Sequence, residues 1–438
     1  MQSNRTVMSL LLCALALLLG TPQPLRAQEE ISIDITQGAD NPLPIAVVPF
    51  RTGGALPEDV AAVISADLRR SGRFDTMTTD RMPSQPASLQ EIDFPAWKSL
   101  GMENVVVGTV TPSANGYNVE FTLVDVFRGQ KLYAYRGATS EANLRYTAHQ
   151  IADIIYEQLT GEKGAFATRI AYVTVRGSGA GRKVYTLQVS DSDGYNPRTL
   201  LESPAEIFSL AWSPDGRQIA YASLEARTSA VYVQDIATGQ RRAVAKGQGI
   251  NSAPDFSPDG KKLALRRSVD GNPEIYVLYL DSGLFQRLTN DPAIDTEPTW
   301  SPDGQRIAFT SDRAGGPQIY EVSLFNPTPK RITFNLGPYN ARPRYSADGK
   351  YLAVVNGGSG GYRIGVLNLR DGGFRVVSDS SQAESPSFAP NGTMLLYSTA
   401  GGGGTELAAV SVDGRVRQRI DLPGGAQVRE PAWGPFRR

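Results

Sequence analysis

Cysteine is all but missing. The one present, Cys13, falls in the apolar run near the start, so the chain beyond it has no thiol. Disulfides, thiol nucleophiles and cysteine-ligated metals are thereby excluded as organising features. Histidine is equally scarce: His149 is the only one in 438 residues. A histidine metal centre or a base–nucleophile pair needs partners that are not there, so His149 reads as a helix-surface or partly packed residue. Charge of either sign is not in excess, with 44 Lys plus Arg against 44 Asp plus Glu. Nucleic acid and other polyelectrolyte partners are therefore disfavoured. No apolar run after the first residues is long enough to cross a bilayer.

What is abundant is Gly, at 44, and Pro, at 29, a mixture suited to a turn-rich β protein. The start reads as an export signal over residues 1–27. Arg5 supplies the positive end, Leu10 to Gly20 the apolar run, and Leu25-Arg26-Ala27 a small residue at the cleavage point. An N-terminal membrane anchor is the alternative. Leu12 stands before Cys13 where a lipid-attachment signal needs a small residue, which argues against lipidation. Removing Arg5 and Arg26 leaves 42 basic against 44 acidic residues.

Residues 28–41 form a short segment in which Ile31, Ile33 and Ile35 alternate with polar positions such as Asp34, after Glu29 and Glu30. This is a strand pattern, ended by Gly38, Asn41 and Pro42. Such a segment can add to the sheet edge of a partner; a flexible tail and a strand docked on its own chain are the alternatives, and docking followed by release is compatible with both. Residues 42–165 read as a compact mixed α/β domain. IAVVPF and NVVVGTV look like buried strands, Pro57 to Leu68 and Leu144 to Leu159 have helical spacing, a short helix lies near Pro95 to Leu100, and YNVEFTLVDV with KLYAYRGAT makes a hairpin.

Over residues 166–438 the chain repeats. An aromatic recurs at Trp212, Phe256, Trp300, Tyr345, Phe388 and Trp433, in steps of 44, 44, 45, 43 and 45. Five of the six are followed by a turn: SPDG after 212, 256 and 300, SADG after 345 and APNG after 388. Proline presets φ at the first central position and Gly accepts the positive φ that follows. Four strands with tight turns in about 40–50 residues make one propeller blade. The second-strand type appears first at Arg169 to Val175 with no inner strand before it. The inner-strand type appears last at Arg429 to Pro435 with no partner after it. One blade is therefore split between the two ends and closes the ring. The predicted fold is α+β multidomain: an N-terminal mixed α/β domain, then a six-bladed β-propeller closed by the C-terminal strand.

The export signal, the strand-like segment after it, the IAVVPF-led domain and the repeated W-S-P-D-G-x-x-I-A-[FY] blades resemble the TolB family, periplasmic propeller proteins of the Tol–Pal envelope system. DTEPTWSPDG, FTSDRAGGPQIY, ESPSFAPNGTMLLYS and the closing PAWGP carry the likeness across essentially the whole chain beyond the signal. The resemblance implies a monomeric, periplasmic, non-enzymatic binding protein without cofactor or metal, which supports outer-membrane integrity and constriction during cell division. It implies capture of the segment bearing Glu29, Glu30, Ile31, Ile33, Asp34 and Ile35 by TolA. It also implies binding of the lipoprotein Pal at the loops entering the inner strands: Ile250, Asn251, Ala253, Thr296, Glu297, Tyr339 and Arg342. Of these, Ala253 and Thr296 match the family's Pal-contacting face, and Ile250 stands where some relatives carry histidine.

The alternative class is a propeller hydrolase or lyase of the envelope. A hydrolase would need a further α/β domain with a nucleophile elbow and with Asp and His later in the chain, and a lyase a base with metal ligands, usually histidines; the lone histidine, His149, precedes the propeller. The Gly-rich stretches 356–361 and 401–404 lack a following helix N-terminus and read as turns. No loop has the dense oxygen spacing of a calcium site.

Overall fold

The computed structural model describes residues 33–37, 41–177, 182–226, 228–401, 404–420, 422 and 426–437. The expected signal, and Glu29, Glu30 and Ile31 of the candidate segment, lie outside them.

In the N-terminal domain Leu43–Val47 runs parallel to Phe74–Thr76 on one side and to Asn104–Ser113 on the other. The sheet then turns antiparallel through Gly116–Asp125 and Gln130–Thr139. Helices cover both faces of the central strands, which explains why those strands are continuously apolar. Helices α1 (Val60–Arg70) and α3 (Leu144–Thr160) bury Ile64, Leu68, Ile151 and Ile155 against Ile45 and Val106. Between them in sequence, α2 (Phe94–Ser99) packs Trp97 against Val105 and Val107 on the other face. Helix α1 starts at Val60 rather than near Pro57, because Asp59 caps it by accepting from the Ala62 amide at 3.0 Å. Gly161 ends α3 at φ +76°.

Six further sheets form the propeller. Blade 1 combines Arg169–Arg176, Val184–Asp191 and Arg198–Ser203 with the inner strand Gln427–Trp433, in which Trp433 faces Ile170. The split-blade closure expected from strand counting is therefore the one observed. Blades 2 to 5 begin with the inner strands Ile207–Trp212, Asn251–Phe256, Asp295–Trp300 and Tyr339–Tyr345. Blade 6 holds Glu384–Phe388, Met394–Gly401, Gly404–Ser411 and Arg417–Ile420, and gains a fifth strand: Ile33–Gln37 pairs antiparallel with its outer edge, Ile35 opposite Gln418. Of the readings open for the N-terminal segment, docking on its own chain is what these five residues do.

The recurring turns have a common chemistry. Each Ser hydroxyl donates to the Asp two residues on, at 2.6 Å in Ser213–Asp215 and 2.5 Å in Ser301–Asp303, and accepts the amide five residues on. The Gly sits at φ between 68° and 72° in the five turns. Its bare Cα leaves room for the preceding turn: a Cβ at Gly260 would stand 3.3 Å from Pro214, and one at Gly304 3.6 Å from Pro258. Neighbouring turns thus pack proline against glycine in a collar around one face of the ring. At the closing seam Pro435, of Trp433-Gly434-Pro435, occupies the proline's place 3.3 Å from a Cβ at Gly216. The motif fixes a strand reversal and seats each blade on the next.

The N-terminal domain rests on this collar face, over blades 1 and 6. Asn391, in the blade 6 turn, donates to the Lys163 carbonyl at 2.8 Å, and Trp433 Nε1 donates to Thr168 Oγ1 at 2.8 Å beside the domain link. The opposite face, where each outer strand leads into the next inner strand, has no other domain on it among the described residues.

Candidate functional site: the propeller channel and its open face

Every inner strand carries a bulge at the same place. The register breaks between Phe208 and Ala211, Ser252 and Asp255, Thr296 and Thr299, Ala341 and Arg344, Glu384 and Ser387, and Arg429 and Ala432. The bulged residue has positive φ in all six: Ser209, Ala253, Glu297, Arg342, Ser385 and Glu430, between 51° and 56°. None is glycine, and in all but the first a proline follows. Proline cannot donate to the ladder, so the ladder must open there. A left-handed backbone at a non-glycine costs on the order of 1–3 kcal/mol, and such strain gathers at functional sites. Six repeats of it line one channel.

The channel is bridged by Arg342. Its Nε lies 3.0 Å from Glu297 and its Nη1 3.1 Å from Glu430, and Nη1 also donates to Ser385. The carboxylates are fixed in turn: Glu297 accepts from the Arg342 amide at 3.0 Å and from Thr310 Oγ1 at 2.9 Å, and Glu430 from the Ser209 amide at 3.0 Å. Attraction to Glu430, and less to Glu297, outweighs burial and raises the guanidinium's pKa above its ordinary value. The free space among these residues is about 40 Å3, room for little more than water.

The residues singled out from sequence divide into three kinds. Ala253, Glu297 and Arg342 line the channel. Ile250 is exposed on the open-face rim, and Tyr339 stacks edge-on against Tyr362 there at 5.1 Å between ring centres. Asn251 is fully buried: its amide donates to Ser229 Oγ and its Oδ1 accepts from Arg267 Nε, both at 3.0 Å, so it holds the rim loop in place. Thr296 is half-buried and accepts from Arg266 Nη1 at 3.4 Å. Of the N-terminal set, Ile33 and Ile35 are half-buried and the Asp34 backbone pairs with Arg419.

Sequence reading missed other parts of the rim. Leu224, Ile294, Phe334 and Tyr362 are exposed on the same face, and Arg266 has a buried Nε without a hydrogen-bond partner behind Thr296. Burial lowers the Arg266 pKa against the pull of Glu297. Exposed apolar residues at loop ends are common singly, so only their shared face could have marked them.

A second polar cluster lies in the joint between the domains. His149, expected on the helix surface or partly packed, is instead fully buried, 1 % exposed, with Nδ1 2.6 Å from Asp67 and Nε2 3.8 Å from Asp193. Asp67, His149 and Asp193 are the one described group with ligand atoms close enough for a metal ion. Both carboxylates are already paired with cations, however: Arg70 Nε binds Asp67 at 3.0 Å and Arg145 Nη2 binds Asp193 at 2.5 Å. This is an ion-pair network.

Comparison with known proteins adds the following. Residues 31–132 match the family model described as the TolB amino-terminal domain, and residues 156–437 that of the TolB beta propeller domain. A protein of Thioalkalivibrio sulfidiphilus named Tol-Pal system protein TolB is 54% identical over 418 residues, covering 94% of this chain and 95% of its own. One of the same name from Nitrosococcus oceani is 55% identical over 407 residues, covering 92% and 93%. The crystal structure of TolB from Acinetobacter baumannii superposes with a TM-score of 0.86 at 39% identity, covering 93% of this chain and 100% of that one.

Proposed function

This chain belongs to the TolB family, and on that premise we propose that it is a non-enzymatic docking protein of the Tol–Pal envelope system, working in the periplasm. It takes the lipoprotein Pal on the open propeller face and offers the segment around Glu29 to Ile35 to TolA. The same cycle serves outer-membrane integrity and constriction at division.

The observation that carries this reading is the asymmetry of the ring. One face is occupied by the N-terminal domain, while the other presents a rim of Leu224, Ile250, Ile294, Phe334 and Tyr362 around a strained, ion-bridged channel mouth. An apolar rim with a few aromatic anchors and fixed charges at its centre suits a protein partner. The space among the channel's bulge residues, about 40 Å3, is smaller than the pockets that enclose small-molecule ligands. For TolA, support comes from the Ile33–Gln37 strand: it pairs with Arg417–Ile420 along one edge, and among the described residues no strand pairs with its other edge.

The test is a calorimetric titration of purified Pal into wild-type protein and Ala253→Arg. The variant is expected to remain folded by circular dichroism and to bind Pal at least tenfold more weakly. Equal affinity would remove the open face as the Pal site.

A further inference from the structure

We propose that His149 is a proton-operated latch between the two domains: its imidazolium holds the joint closed, and loss of the proton loosens it. The reading does not depend on which partners the protein binds.

Three elements meet at the latch. Helix α1 brings Asp67 and Arg70, α3 brings Arg145, His149 and Asp153, and the end of the strand Val184–Asp191 with the turn after it brings Asp191, Ser192 and Asp193 from blade 1. Arg70 crosses the joint to donate to Ser192 Oγ at 2.7 Å, and Arg145 crosses it to Asp193. Arg145 also pairs with Glu58 at 3.1 Å. With His149 charged, three cations (Arg70, Arg145, His149) pair with Asp67, Asp193 and Glu58, and Asp153 and Asp191 stand nearby. Loss of that proton removes one of the three cations and deepens the excess of carboxylates. Asp191, close by, has Arg437 at 4.0 Å.

The ring geometry makes the same point. Both imidazole nitrogens face carboxylate oxygens, at 2.6 Å and 3.8 Å. A neutral ring donating from Nδ1 to Asp67 would turn the bare Nε2 lone pair toward Asp193, buried and without any donor. Only the doubly protonated ring attracts on both sides, one side belonging to each domain. Burial opposes the charge, but Asp67 and then Asp193 outweigh it and the repulsion from Arg70, so the pKa lies above its ordinary value. The joint is therefore tightest below about 6.5, the pKa of a free histidine, and loosens as pH rises through the higher value in the folded chain.

The latch also touches the N-terminal strand. Gln418 Nε2 donates to the Arg70 carbonyl, and Gln418 is the residue paired with Ile35. Loosening the joint withdraws one support of the edge on which Ile33–Gln37 lies.

A single histidine makes the test direct, provided purification uses a tag without histidine. The first measurement follows the imidazole Hε1 resonance of the unaltered protein by NMR across pH. The second measures spin-label distances between Leu100→Cys and Leu284→Cys, with Cys13→Ser, below and above the midpoint. The expected results are a midpoint above 6.5, a distance distribution that broadens above it, and loss of that broadening in His149→Gln. A midpoint at or below 6.5, or a distribution that does not change with pH in the otherwise wild-type chain, overturns the latch. So does a pH response that survives in His149→Gln. If that variant does not fold, the resonance and the wild-type distances still decide.

Discussion

Replacing Arg342 with Met removes the one cation that spans the channel while keeping the side chain's length. Glu297 and Glu430, whose side chains are 24% and 16% exposed, then face the same narrow space without their counterion. Removing one partner of a fully buried pair costs about 3–5 kcal/mol. Here each carboxylate keeps a neutral donor, Thr310 Oγ1 at 2.9 Å for Glu297 and the Ser209 amide at 3.0 Å for Glu430. Water also reaches the channel, so about 2–3 kcal/mol is the appropriate figure. For a chain of this size, with an unfolding entropy of about 2 cal/mol/K per residue, that corresponds to a fall in melting temperature of roughly 2–4 °C. Calorimetric melting at pH 7.5 and pH 4 measures it. The deficit should shrink at the lower pH, because the variant's crowded carboxylates take up protons there and the charge left behind disappears. A variant that melts with the wild type at pH 7.5, or one whose deficit is the same at both pH values, would show that the bridge does not hold the channel.

Deleting 429–438 removes most of the inner strand of blade 1, including Ala432 and Trp433, and unpairs the edge of Arg169–Arg176; the melting temperature should fall far more than in any single substitution, and an unchanged curve would contradict the closure. The pH profile of stability should rise from pH 8 toward pH 5, because His149 binds its proton more tightly folded and because Asp153, with its pKa pushed up to about 6 by burial, is also protonated first in the folded chain. Below about pH 3.9, the ordinary aspartate pKa, the slope should reverse as Asp193 is forced to take a proton: although burial opposes its charge, His149, Arg70 and Arg145 hold its pKa down to about 2. A flat chemical-denaturation profile from pH 8 to 5 would count against the joint's electrostatics.

The ring was readable because its instructions are local. Ser-Pro-Asp-Gly encodes a reversal within four residues, and its spacing counts the blades. The closing strand followed from one unmatched strand at each end. The inner-strand bulges were not readable, since a residue before proline avoids helical backbone and ordinarily extends, yet Ala253, Glu297, Arg342, Ser385 and Glu430 all take positive φ. Ring closure imposes that conformation. The full burial of His149, expected at a helix surface or partly packed, had no local signal: its neighbours Asp67 and Asp193 lie 82 positions before and 44 after it in sequence, on α1 and in blade 1. The alternating isoleucines announced a strand, but its partner, Arg417–Ile420, carries no mark of the pairing. Asn251 looked like a rim contact from its place in a loop, and only Ser229 and Arg267 reveal it as a support.

The most direct measurement is a paired binding experiment with purified Pal and purified TolA, using a chain that lacks residues 28–40 and the full-length Ala253→Arg variant. Two separate docking elements on one ring require opposite outcomes: the truncated chain keeps Pal and loses TolA, and Ala253→Arg keeps TolA and loses Pal. Retention of TolA by the truncated chain, or of full Pal affinity by Ala253→Arg, would contradict the account.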